Sequence, residues 1–430
     1  MIYRCFRLAL LCGAALLAFA ACDDPSTVGA GVGPNPLEGG APVTLDVAPS
    51  TFDTVNEPST TGNNNPLQSW RMLLGQVNDP LAGTVSANSY FDVVGRATLP
   101  NDFYELPPEQ LTAQIKMVRS YTHGDTTGTV DVAVYDLTEE MDVVGATSDQ
   151  TFPSASAPFH TASYATNDSL VTIDLPTEWI ADNIEVLRDT TDGGANFNED
   201  FHGFRLVAEG GDAVNGFGRT GVRLELGGVP DSVSTVLYST NSVFTHIERT
   251  NAPAPPANRE VLVDGVGKDL TFAFDFGASP LDTLANASVN RVDLILPVDT
   301  TAWNTDRPEH FVRPRSEIGY RVIATRPETA PSCAEVNTAA ASDTTCVLPL
   351  AELLFPEAAL VDATTGLVVF QESLLGNSVF TRYRVEVSSA RSGSNTIGVG
   401  LPSTTPVVVY SPGADDDENI PRASITVTPL

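Results

Sequence analysis

Lysine is nearly missing from this chain: Lys116 and Lys268 are the only two, and 23 basic side chains face 54 acidic ones. A surface so short of positive charge repels phosphate backbones and anionic headgroups, which argues against nucleic acid and acidic lipid surfaces as partners. Aromatic residues are also sparse, at 7%. That is too few for the aromatic girdles of a transmembrane barrel, and the polar strand faces carry Asp, Glu and Arg where lipid would lie. Beyond residue 21 no apolar run approaches the about 20 residues of a spanning helix. The histidines, His123, His160, His202, His246 and His310, never fall at the spacing of a metal pair or of H-E-x-x-H. No G-x-S-x-G elbow occurs. Val263-Asp264-Gly265-Val266-Gly267-Lys268 lacks two of the residues a phosphate loop needs, and reads as a hairpin turn. No catalytic residue is assigned.

What the sequence does have starts with an address. Arg4 and Arg7 precede a 14-residue apolar run, Leu8 to Ala21, too short to span and well suited to a signal peptide over 1–21. Ala18-Phe19-Ala20 fits ordinary signal peptidase, whereas Phe19-Ala20-Ala21-Cys22 fits a bacterial lipobox with Phe where Leu is usual. The following Asp23-Asp24-Pro25 and the Gly/Pro-rich Gly29 to Pro36 read as a tether over 22–40 and favour lipidation of Cys22. The expected location is the cell envelope, at the outer membrane or cell surface. Cys5 and Cys12 would leave with the signal. Cys333 and Cys346 then remain in an oxidising compartment, bracketing a polar segment. A disulfide there would close a short loop and add about 3 kcal/mol. Free thiols are the alternative, since no His or further Cys lies within metal-ligand spacing.

Alternation with period two dominates the rest. Val130 to Val134, Phe204 to Leu206, Val222 to Leu226, Val292 to Leu296, Arg382 to Val387 and Ile425 to Val427 all place apolar groups on one face. Asp192-Gly193-Gly194 and Gly210-Gly211-Asp212 supply turns. Helical pattern is best over Glu178 to Leu187, where Trp179, Ile180, Asn183, Ile184 and Leu187 share a face behind a capping Thr177. A second helix is expected over Leu350 to Phe355, by analogy of order between the two halves. Asn251 to Asn258, rich in Pro and Ala, reads as a linker. The expected fold is all-β with minor short helices: two tandem, jelly-roll-like β-sandwich domains at 41–250 and 260–430, joined by a Pro-rich linker at 251–259.

Leu73-Leu74-Gly75-Gln76-Val77-Asn78-Asp79-Pro80 with Gly83-Thr84-Val85, His123-Gly124-Asp125-Thr126 with Val134 to Glu139, and Phe201-His202-Gly203-Phe204 are distinctive segments. Val243 to His246 and Val292 to Pro297 join them. Together they resemble a Bacteroidota envelope lipoprotein family catalogued only as a domain of unknown function; His123 stands where that family usually has Tyr. More loosely, the chain resembles the jelly-roll β-sandwich modules of secreted bacterial proteins. The resemblance implies a lipoprotein address and a β-rich fold, and brings no catalytic residues.

Two features could bind a ligand. Asp415, Asp416, Asp417 and Glu418 cluster carboxylates that could hold Ca²⁺, or form a solvated turn. Trp70 and Trp303 lie in polar surroundings and could stack on a sugar, whereas Trp179 has core spacing. The expected function is a non-catalytic envelope lipoprotein, an accessory or ligand-binding component at the outer membrane or cell surface, whose partner could be an envelope protein or a glycan. A carbohydrate-binding surface lipoprotein and a secreted hydrolase are the alternatives. Thiol titration of the denatured, unreduced mature protein should find neither Cys333 nor Cys346 reactive; two free thiols would remove the disulfide.

Overall fold

The computed structural model describes residues 41–56, 71–143, 146–228, 234–263, 266, 268–284, 286–304, 308–314, 318–325, 347–354, 359–360, 365–376, 382–389, 403–412 and 420–429, in places by backbone alone. Cys22, Trp70, Cys333, Cys346 and Asp415 to Glu418 lie outside them, as does the Trp303 side chain.

β1 (Val43–Val47) and β2 (Thr51–Asn56) come first. Then follow β3 (Arg71–Asp79), β4 (Gly83–Val93), α1 (Asn101–Glu105), β5 (Leu111–Asp125), β6 (Thr129–Asp136), β7 (His160–Ala165) and β8 (Leu170–Leu175). Helices α2 (Thr177–Leu187) and α3 (Ala195–Asp200) lead to β9 (Phe204–Gly210), β10 (Ala213–Gly228) and β11 (Val236–Thr250). The second half has β12 (Arg259–Val263), β13 (Lys268–Ala273), β14 (Ala287–Ile295), α4 (Thr300–Asn304), β15 (Phe311–Val312) and β16 (Ile318–Thr325). It closes with β17 (Val347–Leu354), β18 (Ala359–Leu360), α5 (Thr365–Leu374), β19 (Arg382–Ser389), β20 (Pro406–Tyr410) and β21 (Arg422–Pro429). The fold is all-β and of sandwich type.

Ten strands, ordered β15-β5-β10-β11-β4-β9-β6-β7 with β3 and β8 joined to them, form one sheet that folds over its own core. Met72, Phe91, Ile115, Val132, Leu224 and Tyr238 meet inside it. The alternation in β6 is what the sequence dictates: Val130 and Val132 are buried while Thr129 and Asp131 face out. Helix α2 covers one end with Trp179, Ile180, Ile184 and Leu187. Pro176, and not Thr177, occupies its N-cap, with no side-chain cap.

The second half packs a four-stranded sheet, β1-β21-β14-β18, on a seven-stranded one, β17-β16-β19-β13-β12-β20 with β2. Phe272, Leu294, Phe370, Val409 and Ile425 fill the space between. β1 and β2 thus pair with β21 and β13, so residues 43–56 complete the sheets of the second half. Asn251 to Asn258 forms no strand and is exposed, as its composition dictates. Val263 pairs with Lys268 across the expected hairpin. The segment 350–354 is strand and not helix: β17 lies at the sheet edge against β16, with a register shift beside Pro349. An edge position and a bulge are where a residue without N–H is tolerated. The longer of the two α-helices described in this half is α5, further along.

Ile425 is fully buried in β21 between β1 and β14. Ile425→Ala should cost about 2–5 kcal/mol in urea unfolding; a loss below about 1 kcal/mol would show that this sheet is not packed as described.

Candidate functional site

Where the halves meet, a third apolar cluster draws on both: Leu73, Val77, Tyr121 and Ile247 from the first, and Val261, Phe311 and Val408 from the second. β15 crosses over and pairs with the end of β5, Phe311 opposite Asp125 and Val312 opposite Gly124. Inside this junction lies a polar relay with no solvent access.

Asp79, at the end of β3, accepts five hydrogen bonds. Its Oδ1 takes the backbone N–H groups of Leu81 (2.7 Å) and Ala82 (3.1 Å) and the Arg313 Nη2 (2.9 Å). Its Oδ2 takes Arg313 Nε at 2.7 Å and His123 Nε2 at 2.9 Å. The other ring nitrogen of His123 lies 2.9 Å from the Thr404 hydroxyl. Tyr121 Oη meets Thr405 Oγ1 at 2.8 Å and Ser403 Oγ at 3.1 Å, and accepts the Thr404 N–H at 3.2 Å. The Phe311 ring stands edge-on to His123, 5.6 Å away. Side-chain exposure is 0% for Asp79 and His123 and 1% for Arg313.

Local backbone makes the approach possible. Gly124, next to His123, has φ +112°, and a Cβ there would lie 2.4 Å from the Asp212 carbonyl oxygen. Only glycine takes that conformation at little cost. Burial alone would raise the Asp79 carboxyl, but the hydrogen bonds and charges of His123 and Arg313 outweigh it and hold it well below the usual carboxylate range. An ionised Asp79 only accepts, which places a proton on His123 Nε2.

Hydroxyl, imidazole and carboxylate in this order form the sequence of a nucleophilic relay. Here Thr404 is fully buried, the carboxylate is forked by Arg313, and each ring nitrogen already has a partner. The relay offers no described face to a substrate. What it does is join residues 79 and 123 of the first half to 313 and 404 of the second.

Two other half-buried carboxylates, Asp92 and Asp136, do not converge on each other. Burial raises Asp92 and Asp136 above their ordinary values. Asp136 pairs with Phe204, which also pairs with Phe91, so it shares their face; Asp92, next along β4, points to the other face. Facing carboxylates of a glycosidase need a common side. Among the described residues no group of His, Cys, Asp or Glu is placed to hold a metal. Trp179 is buried, stacked on Phe159 at 5.6 Å, with its indole N–H on Asp136 at 2.9 Å. No motif or spacing in the sequence brings Asp79, His123, Arg313 and Thr404 together. The signal available was the histidine at position 123, in one resembling segment, and Asp79 in another.

No family model matches the chain, and no curated protein matches it. The resemblance drawn from the motifs therefore stands on those segments alone. Among solved structures, the N-terminal CBM22-1-CBM22-2 tandem domain from Paenibacillus barcinonensis Xyn10C aligns with 89% of this chain over 92% of its own length, at 10% identity and a TM-score of 0.16. A superposition that loose carries no argument about ligand.

Asp79→Asn should destabilise the protein by about 3–5 kcal/mol, because it removes the buried anion that Arg313 and His123 both meet. The folded carboxyl is depressed, so its contribution is fully present above the unfolded value near 3.9 and is lost as pH falls below it. Denaturant midpoints measured from pH 6 down to pH 2 should therefore converge for wild type and Asp79→Asn; a constant gap would refute the assignment.

Proposed function

We propose that this chain is a non-catalytic, lipid-anchored envelope protein acting as an accessory or ligand-binding component at the outer membrane or cell surface. The observation that carries this reading is the start of the sequence: Arg4 and Arg7, the apolar Leu8 to Ala21, then Cys22 and a Gly/Pro-rich stretch. The first strand begins at Val43, 21 residues after Cys22 (43 less 22). A coil of that length has a reach of about 25 Å, enough to hold a folded body clear of headgroups. The closed relay at the junction supports the non-catalytic part of the reading, since its catalytic-looking groups are spent on holding two halves together.

Cys22→Ser should move the protein from the membrane fraction to the soluble one, and a clickable fatty-acid probe should label only the wild type. Unchanged partitioning, with no labelling of the wild type, would overturn the anchor.

A further inference from the structure

The relay at the junction is closed to an outside substrate, but the chain's own backbone runs through it. Thr404 is fully buried, and its hydroxyl lies 2.9 Å from His123 Nδ1. Asp79 is ionised and takes the proton-bearing Nε2 at 2.9 Å, so the Nδ1 lone pair is the one that faces the hydroxyl. Arg313, forked on the same carboxylate, keeps it in place. Hydroxyl, base and orienting acid therefore stand in the relation of an activated nucleophile.

The next peptide group is held as well. Thr404 N–H donates to Tyr121 Oη at 3.2 Å, and that phenol also meets Ser403 Oγ at 3.1 Å and Thr405 Oγ1 at 2.8 Å. The bond between Ser403 and Thr404 is thus fixed beside the base, with Ser403 4% and Thr404 0% exposed. A threonine hydroxyl reaches the carbonyl carbon of the preceding residue at about 3–3.5 Å, the separation of a near-attack pair. No ligand has to enter for these atoms to meet.

We propose that Thr404 cuts its own chain: its hydroxyl attacks the Ser403 carbonyl carbon, with His123 as base, and the resulting ester is hydrolysed by water. The proposal goes beyond the binding role given above and leaves it standing, since one event in cis is not turnover. In the first step the C–Oγ1 bond forms and the C–N bond breaks. The hydroxyl proton passes to His123 Nδ1 and on to the freed nitrogen, which becomes an amine, so this step consumes no co-reactant. In the second step water adds to the ester carbon; Ser403 keeps a carboxylate and Thr404 recovers its hydroxyl. The apolar cluster around the relay restricts water, which makes the second step the slow one.

The products stay together. Residues 404–430, 27 of them (430 less 403), carry β20 and β21. β20 pairs with β12 and bridges to Val298 through Val409, and β21 lies between β1 and β14. Cleavage would convert the chain into a non-covalent pair whose smaller member supplies one strand to each sheet of the second half.

The test uses the full-length Cys22→Ser chain, so its result is independent of the anchor. The purified protein is kept for days at neutral pH, denatured in guanidinium, and weighed by mass spectrometry. A second portion is denatured with neutral hydroxylamine, which cleaves esters and spares amides. The expected result is a fragment beginning at Thr404, with a hydroxamate on Ser403 in the hydroxylamine portion. Thr404→Ser should still be cut and Thr404→Val should not. His123→Gln should slow the reaction at least about 100-fold, the usual share of a general base. If either variant fails to fold, the hydroxamate on Ser403 of the unsubstituted site decides alone. An intact chain in both portions, a cut at another bond, or a cut that survives Thr404→Val would overturn the proposal.

Discussion

Asp79 is a buried carboxylate through which both halves of the molecule are tied. A buried anion is expensive unless its lone pairs are met, and here backbone, imidazole and guanidinium meet them together. Each donor comes from a different part of the chain: the turn after β3, the end of β5, and the segment following β15. The apolar cluster around it excludes water, which strengthens the contacts and makes the loss of any one costly. Arg249 extends the same environment. Its Nε donates to the Ala82 carbonyl at 2.5 Å, and burial lowers its pKa while the Asp79 charge works against that. A fully apolar junction could hold two sandwiches together, but would tolerate sliding. Directional bonds to one carboxylate fix the register of the halves.

Much of the fold was legible from the sequence because period-two alternation follows directly from a sheet with one wet face. Val130 and Val132, and the run Val222 to Leu226, needed no tertiary knowledge. Helix α2 was legible for the same kind of reason, its Trp179 face matching a turn of 3.6 residues. Long-range pairing was not. Nothing local in Val43 to Asn56 says that its partners lie beyond residue 260. The strand β17 misled because Val347-Leu348-Pro349-Leu350 carries no alternation, and an edge strand beside a bulge can dispense with it.

The junction was illegible for a different reason. Asp79 and His123 are 44 residues apart, and Arg313 is 234 residues from Asp79. Each looked like a turn or strand-end polar residue, the commonest fate for such side chains. Glycines in these distinctive segments were the better clue. Gly124 and, in another resembling segment, Gly203 have φ of +112° and +101°, and each lies where a Cβ would strike the backbone of a neighbouring strand. Close approach of main chains is a property of three-dimensional packing, and a sequence marks it only by the glycine itself.

The pairing of β1 with β21 also sets a timetable. Thr44 and Thr426, whose hydroxyls meet at 2.9 Å, are separated by 382 residues. A chain synthesised from its N-terminus delivers β1 first and β21 last, so the four-stranded sheet waits for β21. Non-local closure of this kind slows folding, because loop entropy is lost before contacts return it. Meanwhile the edge of β14 that β21 will cover stays open to other chains. The first half, whose strands run from Arg71 to Thr250, is under no such delay except for β15. During synthesis the molecule is thus half-built for a time, with the vulnerable half the one that needs both β1 and β21.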